Sequence, residues 1–258
     1  MLELNSIELS DYHNKNIIVS NKPYGHCHIK KFFPEDKISQ ISKDFFIPEY
    51  TPESPDKLFQ KTKLSISDME KMPNNIKLFI NYLNSKDFIN VLEQKFSLPG
   101  LVADEKLFGG GMHESRKGGY LKIHSDFIYI RKRKLKRRLN LLVYLNEKWD
   151  EKWGGAIELW DQEMKNNFLK VYPHINNAVI FRTDTESNHG FPDALSCPEK
   201  IGRKSIAVYY YTVENSIFKR TKYFYARWKK RPGINEPKFG DNRSLLENLK
   251  NKFLYRFK

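Results

Sequence analysis

From Leu107 to Thr212 the chain reads as short apolar runs separated by glycines and polar turns, with no helix-length segment between them. Residues 139–145, 156–160, 178–181 and 206–211 are the plainest of these runs, rich in β-branched and aromatic side chains. Strands that follow one another without intervening helices cannot build a parallel α/β sheet. They close into a barrel or a double sheet. The chain of 258 residues is long enough for one such core with extensions. The expected organisation is a mixed, largely helical region over 1–106, a β core over 107–214 and a basic extension over 215–258.

The first region carries helical spacing. Pro34, Glu35 and Asp36 open a helix with Ile38, Ile41 and Phe45 on one face. Ile76, Phe79, Ile80 and Leu83 form a second stripe. Ser85 caps a third helix bearing Phe88, Val91 and Leu92. These stripes are expected to pack on the outside of the sheet. Residues 17–19 read as a short strand, and residues 46–74, with several prolines, as a loop with short turns. His26, Cys27 and His28 fit a strand better than a metal clip, because no second Cys/His cluster completes a structural site.

Within the β core, the stretch 118–127 alternates as a strand. Alternation puts Tyr120, Lys122, His124 and Asp126 on one face, with Leu121 and Ile123 on the other. An imidazole and a carboxylate two residues apart can hold one metal ion from adjacent corners. His189 is the expected third ligand. Two histidines and one carboxylate on one face of a metal, with the remaining positions open, is the arrangement of non-haem Fe(II) oxygenases. His113 and Glu114 lie behind the turn at Gly118 and Gly119 and are read as neighbours of the metal. Gly109, Gly110 and Gly111 are followed by no Lys-Ser/Thr pair, so they do not form a P-loop.

Net charge is +14, which favours an anionic partner. Two segments hold much of it. Residues 131–138 contain seven Lys and Arg, directly after the metal strand, and residues 215–258 carry 13 Lys+Arg against 3 Asp+Glu. In the second segment, Tyr223, Phe224, Tyr225 and Trp228 interleave with the cations. Leu245, Leu246, Leu249 and Phe253 suggest an amphipathic helix. Basic grooves with stacking aromatics bind single-stranded nucleic acid, but a helix docked on the core with a basic outer face is the preferred reading. The two cysteines, Cys27 and Cys197, make no disulfide framework. With no signal peptide and no membrane span, a reduced, cytoplasmic setting is expected.

The ordered set of 118–127, 137–146, 153–160, 189–192 and 203–212 resembles the Fe(II)/2-oxoglutarate-dependent oxygenase superfamily, in particular its prolyl-4-hydroxylase-like branch. The resemblance implies a double-stranded β-helix, a jelly-roll or cupin-like core with helices packed outside. It implies His124, Asp126 and His189 as catalytic iron ligands, with 2-oxoglutarate and O₂ as cosubstrates and ascorbate as an accessory reductant. Arg203 matches the residue that binds the far carboxylate of 2-oxoglutarate, and bidentate Arg–carboxylate pairing makes chemical sense of that role. Ser205 and Tyr120 are expected beside the cosubstrate, and Asn140 and Arg138 in the substrate pocket. Lys204 points away by strand parity. The implied reaction oxidatively decarboxylates 2-oxoglutarate to succinate and hydroxylates a substrate such as a prolyl residue or a glycan. Charge suggests an anionic macromolecule or glycan. Two alternatives are a cupin-like metal enzyme that does not use 2-oxoglutarate and a non-catalytic nucleic-acid-binding module. The Arg203 motif counts against the first, and the complete triad against the second.

Overall fold

The structure is a computed structural model that describes residues 4–48, 59–216 and 226–236. Four helices precede the core. The first, α1 (Ser6–Asn16), is capped by the Asn5 side chain, which accepts from the Glu8 amide. α2 (Glu35–Asp44) starts directly after Pro34 and buries Ile38 and Ile41. α3 (Asn74–Leu83) follows Pro73 and buries Ile76, Phe79, Ile80 and Leu83. α4 (Lys86–Phe96) is capped by Ser85 Oγ and ends at Ser97 in the left-handed conformation. Phe79 and Phe88 are fully excluded from water, and each contributes on the order of 1.5–3 kcal/mol by burial.

The strands, in chain order, are β1 (His26–Ile29), β2 (Gln60–Ile66), β3 (Val102–Ala103), β4 (Gly111–Ser125), β5 (Tyr129–Ile130) and β6 (Leu135–Tyr144). They continue with β7 (Ile157–Trp160), β8 (Asn167–Val171), β9 (Ala178–Arg182), β10 (Asn188–Phe191), β11 (Arg203–Val213) and β12 (Arg227–Trp228). The main path is β1-β9-β6-β11-β4-β10-β7-β8, with antiparallel neighbours throughout. β4 spans two sheets: its first half pairs with β11 and its second half with β10. This is the double-stranded β-helix.

Alternation decides what each face meets. Leu139, Leu141, Val143, Ala178, Ile180, Ile206, Val208 and Tyr210 point outward and form one core with the helices. Tyr144, Val179, Phe181, Ile157 and Leu159 point inward and fill the space between the sheets. A period of two thus yields two cores from the same strands.

Three local expectations change. Residues 17–19 do not form a strand; Ile17 caps α1, its amide bonding to the His13 carbonyl, and only Ser20 bridges to His26. The expected loop 46–74 contains β2, which pairs along β4 from Gln60 to Ile66. Non-local pairing there overrides a polar, weakly patterned sequence. β1 and β2 are therefore strands of the main sheet, so the region 1–106 supplies more than an outer helical layer. The helix expected around Leu245–Phe253, and Tyr223, Phe224 and Tyr225, lie outside the described residues. Among the described residues, no helix is long and apolar enough to cross a membrane.

Candidate active site

β4 and β10 run side by side at one end of the barrel, with His124 directly opposite His189. Asp126 follows β4 by one residue. His124 Nε2 lies 3.5 Å from Asp126 Oδ1, and His189 Nε2 lies 3.4 Å from Asp126 Oδ2. One ligand atom from each residue falls within 4.8 Å of the others. His113 and Glu114 do not join this group, as the sequence led us to expect.

Both imidazoles are fixed in the ligand tautomer. His124 Nδ1 sits 2.9 Å from the Lys122 carbonyl, and His189 Nδ1 sits 2.9 Å from the Ser187 carbonyl. A carbonyl only accepts, so each Nδ1 carries the proton and each Nε2 presents a lone pair toward Asp126. Burial, helped by neighbouring His189, lowers the His124 pKa and favours this neutral form. Atoms bound at right angles to a first-row divalent ion at about 2.1 Å lie about 3 Å apart. The spacing and the donor set therefore fit Fe(II).

Asp126 is held by two buried side chains of β6. Asn140 Nδ2 donates to Asp126 Oδ2 at 2.7 Å, and Arg137 Nη2 lies 3.2 Å from the same oxygen. Burial alone would raise the carboxyl pKa, but the Arg137 guanidinium beside it reverses this and holds it well below the usual carboxylate range. Arg137 Nε also donates to Asn140 Oδ1 at 2.7 Å, and its guanidinium covers the Tyr209 ring at 3.5 Å. Rings close the metal end: Phe181 stands 4.5 Å from His189, and Trp228 stands 4.9 Å from His124.

The buried cation expected from the sequence, Arg203, lies on β11. Arg203 is buried, donates from Nε to the Gly155 carbonyl at 2.7 Å and from Nη2 to the Tyr144 hydroxyl at 2.9 Å. The Phe191 ring lies 4.3 Å from the guanidinium. Gly155 is required here: its φ is +77°, and a Cβ would meet Leu195 at 2.7 Å and Arg203 at 3.2 Å. Ser205 shares this inward face, opposite Tyr144 and His113. Lys204 points outward to the Phe45 ring, as parity predicts.

Two bulges alter the expected site. Tyr211 pairs with Arg137 and Tyr210 with Leu139, so β6 carries one extra residue at Arg138. That residue shifts the parity. Arg137 joins the inward face with Asn140, and Arg138 instead lies half-buried near Arg182. The expected face shared by Arg138 and Asn140 is therefore replaced by Arg137 and Asn140. On β4, His124 pairs with His189 but Leu121 pairs with Phe191, so two residues oppose Gly190. A Cβ on Gly190 would meet the Leu121 and Lys122 carbonyls at 2.6 and 2.8 Å. Leu121 thus takes the inward row and Tyr120 leaves the face of His124, lying against the Lys122 ammonium.

Trp228 reaches the His124 end and Lys63 the row of Arg203, and neither was singled out for this from the sequence. β12 pairs with the end of β4, Trp228 opposite His124, and Trp228 stacks on Phe59 at 4.6 Å. Lys63 belongs to β2, hidden in the expected loop.

The model of the 2OG-Fe(II) oxygenase superfamily matches residues 110–211, which span the site from β4 to β11. A prolyl-4-hydroxylase from Pseudomonas putida is similar in structure, with TM-score 0.52 and 13% identity over 80% of this chain and 98% of that one. A prolyl hydroxylase from Trichoplax adhaerens, solved with a hypoxia-inducible-factor peptide, covers 80% of this chain and 88% of its own at TM-score 0.48 and 16% identity. HygX from Streptomyces hygroscopicus, solved with nickel and 2-oxoglutarate, covers 81% and 88% at TM-score 0.48 and 12% identity. No curated protein matches the chain. Residues 110–211 thus match the 2OG-Fe(II) oxygenase superfamily. The fold is shared with the Pseudomonas putida prolyl-4-hydroxylase, and the His124, Asp126 and His189 group is a candidate metal site of the kind that such oxygenases use for Fe(II) with 2-oxoglutarate.

Proposed function

We propose that the enzyme hydroxylates a prolyl residue of a protein substrate, with His124, Asp126 and His189 holding the iron. The observation that carries the ligand assignment is the pair of Nδ1–carbonyl hydrogen bonds, which turns both Nε2 lone pairs toward Asp126. Bound iron and 2-oxoglutarate would supply the oxidising chemistry, with succinate and CO₂ as coproducts. The chain's own residues do the rest. Arg137 and Asn140 keep Asp126 ionised and oriented. Arg203 takes the far carboxylate of 2-oxoglutarate, and Tyr144 holds the guanidinium in place. Phe181, Trp228 and Phe191 exclude water around these charges.

A macromolecular substrate accords with the charge. Arg131, Lys132 and Lys134 are exposed at the turn before β6, near the metal end, and they would attract an acidic segment. Substrate-stimulated succinate formation tests the reading, with prolyl peptides of graded acidity and anionic glycans as candidates. Stimulation by an acidic prolyl peptide supports it, and stimulation by a glycan alone overturns the prolyl assignment. Loss of stimulated turnover in His189→Ala supports the ligand set, and full activity in that variant would sink it.

A further inference from the structure

β2 supplies one cation that the iron and Arg203 roles leave unused. Lys63 lies opposite Ser115 on β4, and Ser115 lies opposite Arg203 on β11. The three residues form one cross-strand row, and opposite residues in an antiparallel sheet point to the same face. Arg203 faces the barrel interior, so Lys63 and Ser115 do too. Lys63 is half-buried, and Asp126, Arg137 and Arg203 lie within electrostatic reach of its ammonium. The left-handed Thr62 marks the irregularity in β2 just before it.

Charge makes the position unusual. Arg137 has Asp126 as its counter-ion. Arg203 is spent partly on Gly155 and Tyr144. Among the described residues, no carboxylate pairs with the Lys63 ammonium, and Arg137 and Arg203 repel it. Burial, opposed by Asp126 and helped by those two arginines, lowers its pKa to about 8. An unpaired ammonium in such a place costs stability unless an anion arrives.

We infer that Lys63 is a second cationic contact for 2-oxoglutarate, pairing with the far carboxylate from the β2 side while Arg203 holds it from β11. Ser115 stands between them as a hydroxyl donor. The cosubstrate would then tie β2 to the barrel, so binding of 2-oxoglutarate and ordering of this edge strand are coupled. The inference rests on the proposed roles of the triad and Arg203.

The experiment is calorimetric titration of the Mn(II)-loaded protein with 2-oxoglutarate, and in parallel with 2-oxopentanoate, which keeps the keto acid end and lacks the far carboxylate. Lys63→Met should weaken 2-oxoglutarate binding on the order of tenfold to a hundredfold. It should leave Mn(II) and 2-oxopentanoate affinity unchanged, and Lys63→Arg should restore most of the loss. Thermal melts of each variant report folding, and rescue by Arg separates charge from structure. Equal 2-oxoglutarate affinity in wild type and Lys63→Met overturns the inference while leaving the proposed function standing. Equal losses for both ligands would move Lys63 away from the far carboxylate and also overturn it. Failure of wild type to bind 2-oxoglutarate at all would overturn the underlying reading as well.

Discussion

Arg137 Nη2 lies 3.2 Å from Asp126 Oδ2, and both groups are sheltered from solvent. A carboxylate meant for a metal is thus already paired with a fixed cation. Replacing Arg137 by Met leaves that carboxylate with Asn140 alone. Supporting contacts of this kind are worth about 10- to 100-fold in metal affinity. We expect a loss of that size in Mn(II) titrations of Arg137→Met, with Arg138→Met unchanged. A larger loss in the Arg138 variant would mean that the bulge has been placed at the wrong residue.

Trp228 stands 4.9 Å from the His124 ring, closer to the metal ligands than its place in a basic C-terminal segment suggests. A paramagnetic ion bound at the triad should quench its fluorescence. The chain has four tryptophans. Fe(II) or Mn(II) binding should therefore quench part of the emission, and Trp228→Phe should remove most of that quenching with metal affinity kept. Quenching that persists undiminished in Trp228→Phe would place this ring away from the site.

Glu236 gathers two cations behind the metal strand. Lys122 Nζ lies 3.0 Å from its carboxylate and Arg231 Nη2 lies 2.9 Å from it, while Arg231 also reaches Asp193 at 2.7 Å. The cluster fastens residues 226–236 to β4 and to the turn after His189. Removing one partner of a buried pair costs about 3–5 kcal/mol, less where a partner is part exposed. In Glu236→Gln, amide exchange should accelerate in 226–236 and change little in β6 and β11. Unchanged exchange there would show that β12 pairing alone holds the segment.

His13 provides a pH test remote from the site. It is buried between Tyr82 Oη at 2.8 Å and the Phe32 carbonyl at 2.9 Å. Burial lowers its pKa to about 4, against the opposing backbone hydrogen bonds of Leu9 and Phe32. Below about pH 6.5 the unfolded chain takes up a proton that the folded chain refuses, so stability falls as pH drops toward 4 and then levels. The full contribution is about 3 kcal/mol. Urea melts at pH 7.5 and pH 5 should show about 2 kcal/mol of this fall in wild type and a smaller one in His13→Gln. Equal falls would assign the acid sensitivity to other groups.

Much of the barrel was legible because a strand's period is two and its core faces are apolar. Residues 139–145, 178–181 and 206–211 are apolar runs of strand length, and each forms a strand over most of its length. The helical stripes at Ile38, Ile76 and Phe88 were legible for the same reason at period 3.6. His124, Asp126 and His189 were singled out by residue type and spacing and Arg203 through the family resemblance, and the fold brings the first three close enough to hold one ion.

The amino-acid sequence by itself determined the most apolar strands, the helical faces and the residue types of the candidate metal donors, because each is written in neighbouring residues. Tertiary structure alone decided that Arg137 and not Arg138 faces Asp126, that Leu121 and not Tyr120 shares the row of His124, and that Lys63 stands in line with Arg203. A bulge adds one residue without disturbing the local alternation on either side, and its position is set by the strand opposite. β2 has little pattern of its own and takes its place only because β4 offers it a ladder of hydrogen bonds. Those partners lie dozens of residues away along the chain, so no local reading of it contains them.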